Sequence, residues 1–493
     1  MKKASGSSRT VEVPPHARTG RVEVDTPAGS IVAPGDFTVT ADGEGALYDT
    51  TMRASVTDAD PSQVAVVTAE HKARILFDAE RGDAIGFGLQ GGSFTSQTSI
   101  SLLSPQGTTV ASNSFGGTAA DWEVTDLPES GTYQFVIDPR STDTGSVAVM
   151  LSKPVNATVS FDGPTVSTAL SRIGQDGNWT FTAAKGESLS IGVDATAMGG
   201  YLRCYVYRPD GTQGEYLPVP NGDSHSLDID SLPQSGQYTL RCDPDGGGTG
   251  TVKIAISHYV QGGTLSATGA SPTLNITRPG QDGIATFTVQ AGEFVSFAAT
   301  GATMPSYATV TITGPDGNFV SSITAAPGRN DAWDSGALAA GTYTVRVADR
   351  RLDVGKVTLT LSKPADVGVL ARGGAAVKAT VARPGQNIHA SFTAKAGDDL
   401  SLEVAANSFT SSLWADVLAP SGTAVVSFRL ISAGEVDRLD RPRRSRHLQG
   451  APQPHQRGHR LAQPEPESGG LGSEDACVHQ QCAAGVGEEC VPR

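Results

Sequence analysis

Aromatic residues make up only 6% of these 493 residues and charged residues 18%, with five methionines and five cysteines. Scarce Met, and little Leu among long runs of Ser, Thr, Val, Ala and Gly, argue against a helical protein. They favour many short strands joined by tight turns. No run approaches the ~20 consecutive apolar residues of a membrane-spanning helix. The N-terminal stretch carries two lysines but no apolar core segment, so it does not read as a signal peptide. A net charge of −14 disfavours nucleic acid and anionic membrane as partners.

Catalytic signatures are missing as well. There is no Gly-x-Ser-x-Gly elbow, no His-Glu-x-x-His and no phosphate loop. Before residue 443 only His16, His71, His225, His258 and His389 occur, and none recurs at one position of the repeat described next. The reading is therefore non-catalytic.

What the chain does contain is internal repetition. Phe is followed five residues later by Gly at Phe77/Gly82, Phe181/Gly186, Phe287/Gly292 and Phe392/Gly397. Gly-x-Tyr recurs at Tyr133, Tyr238 and Tyr343, in steps of 105. Between these landmarks lies a turn at Pro105-Gln-Gly107, Pro209-Asp-Gly211, Pro315-Asp-Gly317 and Pro420-Ser-Gly422. Pro presets φ there and Gly takes a positive φ. Each copy closes on Leu151-Ser152, Ile256-Ser257 or Leu361-Ser362.

Runs such as Leu189–Val193, Tyr238–Cys242 and Val357–Leu361 alternate apolar with Ser, Thr or Arg, as half-buried strands do. The expectation is an all-β chain of tandem antiparallel β-sandwiches, jelly-roll or immunoglobulin-like, of about 105 residues each. The tyrosine that follows Leu-Pro-x-Ser-Gly predicts a corner in which its hydroxyl bonds nearby backbone. Phe181, Phe287, Phe392, Tyr133, Tyr238 and Tyr343 are then core markers, and Gly211 and Gly317 turn markers.

The domain reading follows from that period. Residues 1–48 are the end of a preceding repeat, because Gly35–Asp42 matches the spacing of Gly341–Asp349, and they should be poorly ordered. Whole repeats occupy 49–152, 153–257 and 258–362, and an incomplete fourth occupies 363–442. Residues 443–493 lose the strand pattern and gain Arg, His, Gln, Pro and Cys. Read one base later with suitable codons, Arg443–Gly450 becomes Gly-Gly-Ala-Gly-Thr-Tyr-Lys, the landmark missing from the fourth repeat. A frameshift near Pro442–Arg444 is expected, with a disordered tail. Cys477, His479, Cys482 and Cys490 then arise without selection, against the alternative of a loose zinc cluster.

Pro364-Ala-Asp-Val, Pro384-Gly-Gln-Asn387, Phe392, Pro-Asp-Gly, Gly-Thr-Tyr and Thr-Gly-Ser together resemble bacterial pre-peptidase C-terminal type domains of large secreted or cell-surface proteins. The resemblance spans about 49–440. It implies an extracellular accessory or spacer role and brings no catalytic residues. In the first repeat Ala69-Glu-His-Lys72 stands where the later copies carry Gly-Gln.

Several constellations remain. Cys204 and Cys242 replace Ile100/Ile137 and Val310/Val347 as a pair, and only in the second repeat. They form a cross-strand or inter-sheet disulfide in an oxidising compartment, or a buried pair of thiols. Asp243-Pro-Asp245-Gly-Gly-Gly-Thr-Gly250 offers oxygens to calcium or is a solvated turn; it lacks the spacing of a recognised calcium loop. Asp228-Ile-Asp230 puts two carboxylates on one strand face, for a ligand or for solvent. Trp122, Trp179, Trp333 and Trp414 stack on sugars or serve packing. No cofactor is expected. Partners are a cell-wall glycan or another surface protein, the chain being monomeric. The leading role is a structural spacer or stalk. Glycan adhesion, or an accessory region of a secreted enzyme whose catalytic domain lies elsewhere, are the alternatives.

Overall fold

The computed structural model describes residues 3–4, 9–10, 17–27, 29–39, 47–349, 351–395, 398–410, 412–420, 424–431 and 437–440. Among them there is no α-helix; a single 3-10 turn, Asp245–Gly247, interrupts an all-β chain of many small sheets.

The second repeat shows the pattern. One sheet has five strands in the order Val155–Thr158, Gly177–Ala183, Gly236–Pro244, Leu202–Tyr207, Gln213–Val219. The other has four: Val166–Leu170, Gly250–Ser257, Leu189–Met198, Ser224–Ile229. After the first strand, successive strands alternate between the sheets almost throughout. Alternation within each strand sends one set of side chains inward, as in Gly177–Ala183, where Gly177, Trp179, Phe181 and Ala183 are the buried positions. One apolar cluster then takes side chains from both sheets, including Trp179, Phe181, Ile191, Val193, Leu240 and Ile254. The first and third repeats have the same five-plus-four arrangement and their own clusters. These sheets begin and end at Tyr48 and Ser152, at Val155 and Ser257, and at Val260 and Ser362.

The five-stranded sheets are mixed, which corrects the antiparallel expectation, while the four-stranded sheets are antiparallel throughout. Tyr48–Arg53, Val155–Thr158, Val260–Thr264 and Ala365–Val369 each run parallel to their neighbour in the sheet. The cause is connectivity. The chain enters on the five-stranded sheet, crosses to the other sheet for one strand, and returns in the original direction.

Within the segment read as the end of a preceding repeat, residues 17–27 and 29–39 are described. Gly20–Thr26 and Gly29–Phe37 pair as an antiparallel hairpin. Gln134 donates to Thr19 Oγ1 and to the Val39 carbonyl, and Arg53 bonds the Asp36 carboxylate at 2.8 and 2.9 Å. A strand without its own sheet satisfies its backbone by folding on itself. A contact clustering splits the chain after Thr393. In the second body Ser401–Val404 pairs with Asp437–Asp440, and Leu413–Leu418 with Ala424–Ile431. Gly397, Gly422 and the whole 443–493 segment with its cysteines lie outside the described residues.

Candidate functional site at the junctions between repeats

Each of the last three repeats carries the same turn before the strand that pairs with its first strand: Arg172-Ile-Gly-Gln-Asp176, Arg278-Pro-Gly-Gln-Asp282 and Arg383-Pro-Gly-Gln-Asn387. The turn does not stay within its own repeat. Arg172 donates from Nε and Nη2 to the Leu151 carbonyl at 2.9 and 2.7 Å, and from Nη1 to the Asp58 carbonyl at 2.6 Å. Arg383 repeats this with Leu361 at 3.0 Å and Gly269 at 2.7 Å. Arg278 reaches Ser257 Oγ at 2.7 Å and the Ile256 carbonyl at 3.5 Å. The closing Leu-Ser or Ile-Ser of each repeat is thus the edge on which the next one docks.

The glutamines lock the turn. Gln281 accepts from the Thr277 amide at 3.1 Å and donates to the His258 carbonyl at 2.9 Å. Gln175 and Gln386 make the matching pair of bonds. At the first two junctions backbone also packs on backbone, whereas at the third Gly385 faces the Cβ atoms of Ala298 and Ala332. A Cβ on Gly192 would stand 2.4 Å from the Pro279 carbonyl oxygen, and one on Gly88 2.3 Å from that of Ile173. The opposing Gly174, Gly280 and Gly385 sit at φ +69°, +72° and +69°, a region that glycine enters without strain.

Acids collect at these contacts. At the second junction Ser190 Oγ donates to Asp228 Oδ1 at 2.8 Å and accepts from the Asp282 amide at 3.2 Å. Arg346 faces Asp282 and Asp230 at 2.9 Å and Asp228 at 4.0 Å, and lies over the Tyr259 ring. Three carboxylates therefore share one guanidinium. Burial first, then Asp228 beside it, pushes the Asp282 carboxyl up to about 8; Asp228 is raised as well, chiefly by burial. At the first junction Arg241 pairs with Glu123 of the preceding repeat and, at 2.7 Å, with Asp176. Asp121 accepts from the Gly246 amide at 3.0 Å. Burial, then Asp243 and Asp121, pushes Asp176 up to about 8, and burial with Asp121 lifts Asp243 to about 6. The Asp228-Ile-Asp230 pair is thus a docking element. The sequence signal for this docking is the Arg repeated two residues before Gly-Gln, with Asp, Asp or Asn directly after it.

Other sequence-level candidates fall elsewhere. Cys204 and Cys242 lie directly opposite each other on neighbouring strands of one sheet and are disulfide-bonded, Cα atoms 4.0 Å apart. The bond is cross-strand, in the register where Ile100 faces Ile137 and Val310 faces Val347. Tyr133, Tyr238 and Tyr343 are buried, and each hydroxyl donates to the carbonyl four residues earlier, at 2.7, 2.8 and 3.2 Å. Phe181 and Phe287 are buried beneath them, whereas Phe392 is 38% exposed. No tyrosine follows Phe392 in the sequence, so its ring has no such partner. Gly211 and Gly317 take φ of +81° and +80° in their turns.

Among the described residues no cluster of His, Cys, Asp or Glu is arranged to hold a metal, and Asp245 pairs with Arg203. Trp179 is buried with Nε1 on Thr168 Oγ1 at 3.0 Å, Trp122 stacks on Phe87 at 5.5 Å, and Trp333 packs against the third core. Trp414 is 55% exposed. No described helix is long and apolar enough to cross a membrane.

No protein family and no curated protein matches the chain. Among solved structures it is similar to a pre-peptidase C-terminal domain of a Bacillus anthracis collagenase, at 16% identity over 20% of this chain and 93% of that one, TM-score 0.18. The Aeromonas hydrophila periplasmic lysozyme inhibitor PliG matches at 15% identity over 21% and 98%, TM-score 0.15. An archaeal virus triple jelly-roll protein matches at 9% identity over 70% and 89%, TM-score 0.14. Scores this low carry no argument about this chain.

Proposed function

We propose that the chain is a non-catalytic structural spacer within a larger secreted or cell-surface bacterial protein. Its repeats are β-sandwiches of jelly-roll connectivity, akin to pre-peptidase C-terminal type domains. The observation that carries this reading is the junction. The same Arg-x-Gly-Gln turn docks three times on the closing strand of the preceding repeat through its arginine, and at the first two junctions Gly88 and Gly192 meet the turn's backbone so closely that no side chain fits. Chains that merely tether domains have no need of such contacts, whereas a spacer gains a fixed relation between neighbours. The strand order supports the jelly-roll assignment, and the disulfide supports an oxidising location. Small-angle scattering of the whole chain tests the spacer: an elongated particle is expected, and a single compact globule would overturn it.

A second reading, glycan adhesion, rests on one observation. The second repeat sets a cross-strand pair of tyrosines on its five-stranded sheet. Tyr205 stacks on Tyr216 at 4.8 Å and Arg203 lies 5.8 Å from the Tyr201 ring centre. The register places Ser101 and Ser112, or Thr311 and Ser322, where Tyr205 and Tyr216 stand. The fold does not require aromatics there. Calorimetric titration with soluble cell-wall glycans, on the native chain and on Tyr216→Ala, decides it: binding lost in the variant supports adhesion, and no heat with the native chain excludes it.

A further inference from the structure

We propose that the first two junctions are proton-dependent couplings, each closing with a proton held on a carboxyl that docking buries among other carboxyls and each loosening as the surroundings become alkaline. This goes beyond the spacer reading, since it depends only on the junction geometry.

At the second junction the groups facing Asp282 are Asp228 and Asp230 from the preceding repeat, Arg346 from its own sheet, and the Tyr259 hydroxyl from the linker. The Asp282 side chain is 1% exposed and Asp228 22%. Fully ionised, the buried Asp282 and the largely buried Asp228 would stand side by side against one guanidinium, while Asp230, 76% exposed, stays in water; like charges so placed do not both persist. At the first junction the groups around Asp176 are Asp121 and Glu123 from the preceding repeat, and Asp243, Asp245, Arg241, Arg203 and Tyr207 from its own. Four carboxylates there stand around Asp176 and two arginines are present, and Asp176 is 4% exposed. Glu123 and Asp121 reach this site only because the first repeat docks on the second.

The third junction is the control built into the same chain. Its turn places Asn387 where the others have Asp, and the Asn387 amide still bonds Ser296 Oγ at 3.1 Å, as Asp282 bonds Ser190. Asp334 faces Asn387, Ser296 and His389 but no second carboxyl, and is raised by burial alone. The backbone bond is thus common to both junctions, while the Asn387 side chain bonds Asp334 where the second junction sets a second carboxyl, and needs no added proton to do so.

The sign follows from linkage. Undocked, each carboxyl returns to the ordinary range near 4. Docked, Asp176 and Asp282 are held near 8. Docking takes up a proton between those values, so it is favoured in acid and weakens through neutrality toward about 8, by up to roughly tenfold per pH unit for each proton.

Hydrogen exchange of the intact chain tests this. Protection of 171–177, 277–283 and 382–388 is read at pH 6.5 and 8.5 after correction for intrinsic exchange chemistry. The first two segments should lose on the order of tenfold more protection than the third. Asp282→Asn should abolish the change at 277–283 and leave 171–177 alone, and Asn387→Asp should create it at 382–388. Equal protection at both pH values in the native chain, or an equal loss in all three segments, would overturn the proposal. So would a response at 277–283 that survives Asp282→Asn. The native comparison stands by itself if a variant fails to fold.

Discussion

The Phe181 ring lies flat beneath Tyr238, centroids 5.5 Å apart and planes 14° from parallel. Directly paired across two strands, they anchor the second repeat, and Phe77/Tyr133 and Phe287/Tyr343 do the same in their own repeats. The Tyr238 hydroxyl both donates to the Gln234 carbonyl and accepts from its amide. Tyr238→Phe keeps the stack and loses those bonds, so it should cost about 1–3 kcal/mol. Tyr238→Ala should cost about 3–5 kcal/mol. Calorimetry of the chain should show one transition shifted and the others unchanged.

Reducing the Cys204–Cys242 bond should lower the stability of the second repeat alone. For a separation of 38 residues the chain-entropy estimate is about 4 kcal/mol, less any strain. The double variant Cys204→Val, Cys242→Val restores the pair found at Val310 and Val347. It should therefore be more stable than the double alanine variant, yet remain below the oxidised protein. Urea unfolding with and without reductant measures both differences.

Gly192→Val should separate the second and third repeats without unfolding either. The new Cβ meets the Pro279 carbonyl, a backbone atom that cannot rotate away. Overpacking of this kind costs about 1–3 kcal/mol. The expected readout is lost exchange protection at 277–283 while the buried strand Gly250–Ser257 keeps its own.

Asp143 should show the opposite pH behaviour to Asp282. Hydrogen bonds from the Ser96 hydroxyl and amide, with Thr95, lower its pKa to about 2. A depressed carboxyl stabilises above its unfolded pKa and loses that contribution as pH falls toward 2. The native chain should therefore hold the 93–97 loop with constant protection from pH 5 to 8 and lose it in acid. Asp143→Ala should lack it throughout, as exchange at the Thr95 and Ser96 amides would report.

Gln281→Ala removes the buried amide that ties Thr277 to His258. Two backbone groups are left without partners, at about 1–3 kcal/mol. Thermal unfolding should place the loss at the third repeat, with the first unaffected.

The amino-acid sequence by itself determined the period, the strand alternation, the tyrosine corners and the Cys204–Cys242 pairing. Each of these is local, or is copied at fixed spacing, so one repeat can be read against another. A pair that changes together, as Ile100/Ile137 becomes Cys204/Cys242, shows that two side chains meet. Only the tertiary structure decided that the first strand of each repeat runs parallel, because direction depends on how the chain crosses between sheets. Likewise, it alone brought Glu123 to Arg241 and Asp228 to Asp282. Those contacts join different repeats, and periodicity within a repeat holds no record of which face the next one covers. Burial and shared charge exist only once the backbones of Gly192 and Gly280 have met.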